Sequence, residues 1–468
     1  MKKEINKSES GNKLKLSFFG GAESVTGANF MLQSFDPDAK TILVDCGLHQ
    51  GSKVCDDANR LDFAYDPKTV DVLFVTHAHL DHIGRIPKLV RDGFRGVIYS
   101  TPPTKDMAQL SLIDSLGVME KESRHDNQEI FYEEEDVKQA MSLWQTLDYH
   151  QPLAIGEFTA VLRDAGHILG SAMVELTYAR KKIVFTGDLG NSPAPLLRDT
   201  EAVSDADYLI MESVYGDRNH EERDERKHKL RQIIHDTMKA GGTLMVPAFS
   251  IERTQELLFE IENMMEAGEI PEVPVFLDSP LAIGITAIYK RYKNYLNRNV
   301  NMIDVSGDGV FKFPHLRLTK KTAESRAINS VPPRKIIIAG SGMSNGGRII
   351  HHEKRYLPDA KNTLLLIGYQ AAGSLGRQLS DGAGSVNILG ETVSVNARIA
   401  QVRGYSAHKD SDNLLEFVSH SAETLKKVFV VMGEPKSSLF LTQRIRDYLG
   451  LDAVAPSLGA VYDLDLEE

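Results

Sequence analysis

One short segment of this 468-residue chain contains four side chains that commonly bind metals. His77, His79, Asp81 and His82 follow an apolar run over residues 70–76, which is typical of a β-strand. Imidazole nitrogens and carboxylate oxygens are ligands that zinc binds well. Two histidines separated by one residue point the same way from an extended chain. The segment therefore predicts a metal site at the carboxyl end of a strand, where α/β active sites gather.

Two later residues fit the same site. His167 lies in a Gly-rich turn, and Asp188 follows the predicted strand 182–185. Both lie at strand ends beside small residues that would let a metal approach the backbone. Together with the first segment they supply ligands for a second metal, with Asp188 placed to bridge the two ions. A bridged pair would lower the pKa of a shared water and polarise a phosphoryl oxygen.

The basic charge of the chain is concentrated in one stretch. The whole chain has a net charge of −11, which by itself argues against a nucleic-acid binder. Residues 291–380, however, contain 15 basic and five acidic residues, a net charge of +10. Two Gly-rich turns in this stretch precede Arg348 and Arg377, and backbone N–H groups in such turns can hold phosphates. The stretch predicts a nucleic-acid channel, with a solvated basic surface and merely tight turns as the alternative.

Apolar patterning predicts the elements that position these residues. The first half alternates short apolar runs with Gly-rich turns, which indicates strands, and it has helical spacing over 104–116 and 134–146. From residue 205, strands alternate with helices, which indicates a parallel sheet covered by helices on both faces. The chain has 42% hydrophobic and 25% charged residues, as folded proteins do.

Three further features limit the class of protein. The two cysteines, Cys46 and Cys55, exclude a disulfide framework. The start of the chain is polar, which predicts that there is no signal peptide. No run approaches about 18 apolar residues, which predicts that no helix spans a membrane. The expectation is a cytoplasmic protein.

The motifs of the chain, taken in order, resemble those of the metallo-β-lactamase superfamily. The second half resembles its β-CASP nuclease branch, which includes the pre-mRNA 3′-end cleavage endonuclease, its archaeal and bacterial relatives, and ribonuclease J. The matching segments are 77–82, 166–167, 187–188, 211–216, 242–256, 277–280, 340–343, 368–373 and 404–408, with Asp45. The resemblance implies an α/β fold: a four-layer αββα sandwich interrupted by an inserted parallel-sheet β-CASP domain. The implied bounds are 1–210 and 404–468 for the sandwich and 211–403 for the insert.

The resemblance also implies a metal-ligand set. One zinc would be held by His77, His79 and His167, the other by Asp81 and His82, and Asp188 would bridge them. Asp45 would orient the ligands.

The same resemblance implies the catalytic residues. Glu212 and His408 would pair near the leaving group, and Asp81 would act with them. A carboxylate beside an imidazole raises the pKa of the imidazole, which suits His408 to protonate a departing ribose oxygen. The predicted substrate-binding residues are Ser341, Gly342, Arg348, Ser374, Arg377 and Ser406.

Met432 departs from the family pattern. In RNA-cleaving members a histidine before Gly-Glu binds the second zinc, and here that position is occupied by Met432. A thioether suits soft copper better than zinc, so the second site is expected to be weak or partly occupied. DNA-processing members also lack this histidine. A DNA nuclease of the repair branch and a weakly active or non-catalytic RNA-binding member are therefore the alternatives.

The sequence as a whole predicts a zinc-dependent ribonuclease. It would hydrolyse phosphodiester bonds of single-stranded RNA, in RNA processing or decay, by a metal-bound hydroxide. Two zinc ions are the expected cofactors and single-stranded RNA the expected partner, with DNA and a homodimer left open. A small-molecule hydrolase would have no need of the insert.

Overall fold

The structure is a computed structural model. It describes residues 13–35, 40–51, 53–126, 129–220, 223–298, 300, 309–368, 370–371, 373–402 and 404–467. The polar start of the chain, which predicts that there is no signal peptide, lies outside these residues. The chain divides into two compact units. The first contains Met1–Ala194, Arg198–Asn219 and His408–Glu468, and the second contains Pro195–Leu197 and His220–Ala407.

Two seven-stranded sheets form the centre of the first unit. The first sheet has the spatial order β22 (Val461–Asp465), β1 (Lys13–Gly20), β2 (Asn29–Ser34), β3 (Thr41–Val44), β4 (Val72–Phe74), β5 (Val97–Ser100) and β6 (Trp144–Thr146). The second sheet has the order β21 (Ala453–Val454), β20 (Lys427–Val431), β11 (Tyr208–Glu212), β10 (Lys181–Phe185), β9 (Ala172–Tyr178), β8 (Phe158–Asp164) and β7 (Leu153–Ile155). In each sheet an antiparallel half continues into a parallel half, β3 to β6 and β10 to β21.

The two sheets share one apolar core. Leu14, Leu16 and Phe18 alternate along β1 and are fully buried, as expected for one face of a strand. They belong to a cluster that includes Leu162 and Phe429 of the second sheet. Burial of each such side chain stabilises the fold by about 1.5–3 kcal/mol.

Helices complete the first unit. They are α1 (Lys53–Arg60), α2 (Leu80–Ile83), α3 (Ile86–Arg91), α4 (Pro102–Asp126), α5 (Glu134–Ser142), α12 (Ser411–Ser419) and α13 (Pro435–Leu449). Leu414 of α12 and Leu441 of α13 pack in a second apolar cluster against β20. The helical spacing over 134–146 overruns α5, because Trp144 pairs with β5 and its indole N–H donates to Ser100 Oγ at 2.8 Å.

The second unit contains a six-stranded sheet in which every pair is parallel. Its spatial order is β14 (Leu316–Leu318), β13 (Val275–Leu277), β15 (Lys335–Ala339), β12 (Thr243–Pro247), β16 (Thr363–Ile367) and β19 (Arg398–Val402). Its helices are α6 (Arg223–Lys239), α7 (Arg253–Glu266), α8 (Pro280–Arg291), α9 (Thr322–Ala327), α10 (Ile349–Tyr356) and α11 (Leu375–Ser380). A hairpin of β17 (Ser385–Ile388) and β18 (Glu391–Ser394) is added. The predicted α/β fold with a parallel-sheet unit is confirmed.

Within the part of the chain that the structure describes, no helix is both long enough and apolar enough to cross a bilayer.

Candidate metal centre and catalytic pair

The first four predicted ligands follow β4. His77 lies on the chain between β4 and α2, and His79 is the extended residue that precedes α2, so both project from non-helical backbone. Asp81 and His82 lie in the single turn of α2. His77 and His82 are fully buried, whereas His79 and Asp81 are partly exposed. The change from extended chain to helix lets one short segment direct ligands to two neighbouring positions.

The backbone of this segment is held by two neighbouring loops. The N–H of Ala28 donates to the carbonyl of Asp81 at 2.9 Å, and the N–H of Cys46 donates to that of His82 at 2.8 Å. Gly47 lies so close that a Cβ there would be 1.6 Å from the carbonyl oxygen of Asp81. Only glycine fits at residue 47, and these contacts fix the position of the candidate ligands.

Asp45 holds His82 in one orientation. Its carboxylate accepts hydrogen bonds from the backbone N–H and the hydroxyl of Thr76, both at 2.8 Å. It also lies 2.7 Å from Nδ1 of His82. With its proton on Nδ1 and shared with Asp45, the ring directs Nε2 toward the centre of the site. No motif in the sequence marks Thr76, although it directly precedes His77.

Four side chains converge within 4.8 Å of one another: His77, His79, His167 and Asp188. Nε2 of His77 is 3.4 Å and Nε2 of His167 is 3.5 Å from Oδ2 of Asp188. Nδ1 of His79 is 3.0 Å from Nε2 of His77 and 3.3 Å from Nε2 of His167. Four ligands placed tetrahedrally about 2.1 Å from a zinc ion are roughly 3.4 Å apart. The spacing of these atoms fits such an ion.

The charge states of these side chains also suit a metal. Burial lowers the pKa values of His77, His79 and His167 below the ordinary value, because a charged imidazolium would lose its hydration. Burial alone would raise the pKa of Asp188, but the nearby imidazoles of His82 and His77 outweigh it and lower this pKa well below its usual range. Neutral imidazoles and an ionised carboxylate are the forms that bind metals.

A second, smaller set of donors shares Asp188. Nε2 of His82 is 3.4 Å from Oδ1 of Asp188 and 3.9 Å from Oδ2 of Asp81. Among the described residues, both Nε2 of His82 and Oδ1 of Asp188 are buried without a hydrogen-bond partner. Buried polar atoms are nearly always satisfied, and two such atoms facing each other at this distance fit the donors of a bound cation. The two oxygens of Asp188 thus face different donor sets.

Glu212 and His408 form a pair beside Asp188. Oε1 of Glu212, at the end of β11, is 3.2 Å from Nδ1 of His408 and accepts the backbone N–H of Leu189 at 2.6 Å. Nδ1 of His408 is also 3.9 Å from Oδ2 of Asp188. Burial raises the pKa of the Glu212 carboxyl, and the His408 imidazole opposes that rise. Residue 408 is held by a bridge to Gly190.

Met432 packs in the apolar core between the two sheets. It is buried, and its cluster includes Phe30 and Phe185. Its backbone N–H donates to the carbonyl of Gly21 at 2.6 Å, and a Cβ on Gly21 would be 2.5 Å from the Met432 sulfur. The thioether therefore fills space beside Gly21 as an apolar group.

The two predicted phosphate turns lie side by side in the second unit. The backbone N–H of Gly376 donates to the carbonyl of Met343 at 3.1 Å, and that of Leu375 donates to Oδ1 of Asn345 at 3.1 Å. The side-chain amide of Gln370 donates to the carbonyl of Gly342 at 3.2 Å. Ala372, at the start of one turn, is outside the described residues.

The side chains predicted to bind substrate have partners within this unit. Arg348 donates to Oδ1 of the buried Asp278 at 2.6 Å and to the carbonyls of Thr319 and Lys320. Asp278 also accepts from His352 at 2.7 Å. Asp278 belongs to a motif that the resemblance quoted, but no spacing in the sequence connects it with Arg348.

Ser341, Ser374 and Arg377 make local hydrogen bonds. Ser341 Oγ accepts the backbone N–H of Asn345, and Ser374 Oγ accepts that of Arg377. The Arg377 guanidinium donates to Asp381 at 2.8 Å. Ser406 is buried.

The fold and the site together define a class. Two facing sheets carry histidines and aspartates in the loops that follow their strands, and the chain also contains an α/β unit with a parallel sheet, which is the architecture of a metal-dependent hydrolase. Three segments of the chain also match known protein families. Residues 32–210 match the metallo-beta-lactamase superfamily domain, residues 254–379 the Beta-Casp domain, and residues 392–456 the Zn-dependent metallo-hydrolase RNA specificity domain.

Curated relatives cover nearly the whole chain. Ribonuclease TTHA0252 of Thermus thermophilus is 35% identical over 90% of this chain and 94% of its own length. An RNase J-like protein of Methanocaldococcus jannaschii is 32% identical over 95% of this chain and 99% of its own length. Transcription termination factor FttA of Thermococcus kodakarensis is 33% identical over 95% of this chain and 70% of its own length. The chain belongs to the metallo-β-lactamase superfamily, in its β-CASP branch.

A solved structure shares the fold alone. It is a protein of unknown function from Enterococcus faecalis V583, with a TM-score of 0.52 and 12% identity, covering 97% of this chain and 100% of that one.

Proposed function

We propose that this protein is a zinc-dependent ribonuclease that hydrolyses phosphodiester bonds of single-stranded RNA. The observation that carries the proposal is the shared Asp188, whose two oxygens face a three-histidine set and a His82/Asp81 set. Relatives named as ribonucleases support RNA as the substrate, as does the match to an RNA specificity domain. The basic stretch over 291–380 supplies charge that suits a phosphate backbone.

The proposed cofactor is a pair of zinc ions. His77, His79, His167 and Asp188 would hold one, and His82, Asp81 and Asp188 the other. The chemistry that bound zinc supplies is Lewis acidity, which lowers the pKa of a water and stabilises negative charge on a phosphoryl oxygen. Asp45 would keep His82 oriented for binding.

His408 is the proposed general acid. Its Nδ1 is held by the carboxylate of Glu212, so the transferable proton is assigned to Nε2. As the oxygen of water gives up a proton to solvent and forms a bond to phosphorus, the bond from phosphorus to the ribose oxygen breaks, and that oxygen takes the proton from Nε2. Glu212 would then stabilise the orientation of the ring and its charged form. Asp81 would act through the second metal.

The wider proposal keeps the organisation inferred from the sequence. Residues 211–403 would be a β-CASP domain inserted into a metallo-β-lactamase domain, and the protein would act in the cytoplasm. The proposed substrate-contacting residues are those of the two turns and Ser406. Arg348 is engaged by Asp278, so its part would be to hold the first turn in shape.

A DNA nuclease is the second candidate. It is favoured by one observation, the absence of a histidine at residue 432. A weakly active or non-catalytic RNA-binding protein would follow if that absence emptied the second metal site.

One experiment separates these candidates. Purified protein is incubated with end-labelled RNA and DNA of equal sequence, with and without a chelator. The proposal expects cleavage of RNA, little cleavage of DNA, and loss of both with chelator. Preferential cleavage of DNA would support the second candidate, and binding of RNA without cleavage in the presence of zinc would support the third.

A further inference from the structure

An aromatic side chain is exposed at the carboxyl edge of the parallel sheet in the second unit. Phe249 follows β12 by two residues and retains 44% of its accessible surface. Large apolar side chains at this degree of exposure need no explanation singly, so its surroundings decide its meaning. In open α/β sheets, ligands bind in the crevice outside the carboxyl ends of the strands. Phe249 lies at that edge.

The backbone around Phe249 is fixed on both sides. The preceding N–H, of Ala248, donates to the carbonyl of Ala339 at 3.0 Å. The hydroxyl of Thr254 donates to the carbonyl of Phe249 itself at 2.7 Å, and the amide of Gln255 donates to that of Ser250 at 3.2 Å. These bonds tie the segment to β15 and to the first turn of α7. The ring is thus presented from a rigid support.

The ring rests on a glycine of the first Gly-rich turn. A Cβ at Gly342 would lie 2.7, 2.8 and 3.0 Å from Cδ2, Cε2 and Cγ of Phe249. Any side chain at residue 342 would therefore displace the ring. The absence of that side chain lets the aromatic ring rest on backbone, while 44% of the residue's surface stays open to solvent.

The other groups at this edge are small and polar. Ser250 and Ser279 follow β12 and β13, and their hydroxyls are 3.4 Å apart. A Cβ on Gly340, at the end of β15, would have no neighbour closer than 3.8 Å. The three atoms at that distance are the carbonyl of Ala248 and the hydroxyls of Ser250 and Ser279, so this edge offers hydroxyls and backbone groups rather than an apolar wall.

We propose that Phe249, seated on Gly342, is a stacking platform for one nucleobase of the single-stranded RNA substrate. The proposal rests on the proposed function and adds the residue that contacts a base. A flat, exposed and rigidly held ring beside polar groups is how proteins bind unpaired bases without reading their sequence. Because every base has a π-face, the platform accepts any base, and because the faces of bases in a duplex are already stacked on their neighbours, it favours single-stranded RNA.

The test is a base-by-base comparison of two enzymes. A ten-nucleotide oligoadenylate is prepared with one abasic ribose at each position in turn, and KM is measured for each substrate with wild type and with Phe249→Ala. For wild type, one position should raise KM by roughly 5- to 150-fold when its base is removed. In Phe249→Ala that penalty should vanish, because KM is already raised with the intact substrate.

Two variants serve as controls. Phe440→Ala removes an aromatic ring of similar exposure, 47%, from α13 and should leave every KM unchanged. Gly342→Ala should displace the ring. Like Phe249→Ala, it should raise KM for the intact substrate and abolish the penalty for removing one base. A position-dependent penalty that persists undiminished in Phe249→Ala would overturn the proposal, as would wild-type KM values in that variant.

A second readout keeps the proposal independent of cleavage. The chain has one tryptophan, the buried Trp144, so the indole introduced by Phe249→Trp is the exposed reporter. Oligoadenylate should quench its fluorescence, and a fully abasic oligomer should not. If wild type cleaves no RNA, the proposed function fails while quenching still supports the platform. No quenching by oligoadenylate overturns the platform itself.

Discussion

His408 is the residue whose removal distinguishes an acid from a metal ligand. Its Nδ1 is 3.2 Å from Glu212, and it lies outside the candidate set of His77, His79, His167 and Asp188. With Asp188 and Glu212 it forms a second group whose spacing could also hold a metal. His408→Ala is expected to lower kcat for RNA about 10²- to 10⁴-fold, because a positioned general acid contributes about that much. Zinc content, measured by elemental analysis, should stay at the wild-type level. Loss of zinc from the variant would instead make His408 a ligand.

Asp81 and His82 test the second donor set. Asp81→Ala should abolish RNA hydrolysis with a thermal melt near that of wild type, because Asp81 is partly exposed. His82→Ala should also abolish it, with some loss of stability, since the buried Asp45 then loses a partner at 2.7 Å.

The exposed His420, at the end of α12, supplies the control for both variants. His420→Ala should retain full activity. Full activity in Asp81→Ala or His82→Ala would contradict a two-metal centre.

At the scale of elements, a substitution in the segment after β20 tests whether a histidine at residue 432 could bind the second metal. Met432 packs in the apolar core beside Gly21, so Met432→His places an imidazole there. Without metal, the variant should lose about 1–3 kcal/mol of stability from the unsatisfied ring. If the histidine reaches the second metal, zinc should restore that loss and raise zinc content toward two ions. The measurement is the melting temperature with zinc and with chelator, compared with wild type. If zinc raised the melting temperatures of the variant and of wild type by the same amount, a side chain at residue 432 could not bind the second metal.

Helix α10, which follows the first Gly-rich turn, contains a buried acidic residue, Glu353, whose pKa is raised. Burial raises the pKa of Glu353 from 4.5 to about 7, although the hydroxyl of Ser344 donates to its Oε1 at 2.5 Å. Because the folded state holds this proton more tightly than the unfolded chain, wild-type stability should fall as pH rises between these two values and level off above them.

Glu353→Gln removes that titration while keeping the shape of the side chain. Its melting temperature relative to wild type should therefore rise from about pH 5 to about pH 8. The exposed Glu391, paired with Lys354, supplies the control, since Glu391→Gln should track wild type throughout. Parallel curves for Glu353→Gln and wild type would contradict the raised pKa.

What the sequence predicts depends on how local the signal is. The segment from His77 to His82 was recognisable because ligand spacing along one strand and one turn is a local property. The α/β class followed for the same reason, from alternating apolar patterns. The engagement of Arg348 by Asp278 joins residues 70 positions apart, and the seating of Phe249 on Gly342 joins residues in different turns. Such contacts are made by the tertiary fold, and one sequence carries no sign of them.

At the scale of the whole molecule, charge and ligands are divided along the chain. The residues between 291 and 380 carry +10, while the remainder of the chain carries −21. The residues of the candidate metal centre all belong to the first unit and the basic stretch belongs to the second. RNA binding should therefore weaken with salt, since phosphate contacts release counterions, while zinc affinity should respond far less.

RNA hydrolysis is expected to need both donor sets that share Asp188. The direct measurement is a titration of metal-free protein with zinc, in which bound zinc and the rate of RNA cleavage are determined in the same samples. The three-histidine set should fill first, because the second set has only three protein ligands. The rate should stay low up to one zinc per chain and rise as the second binds. Full activity at one zinc, or cleavage that persists without metal, would show that RNA hydrolysis does not need both donor sets.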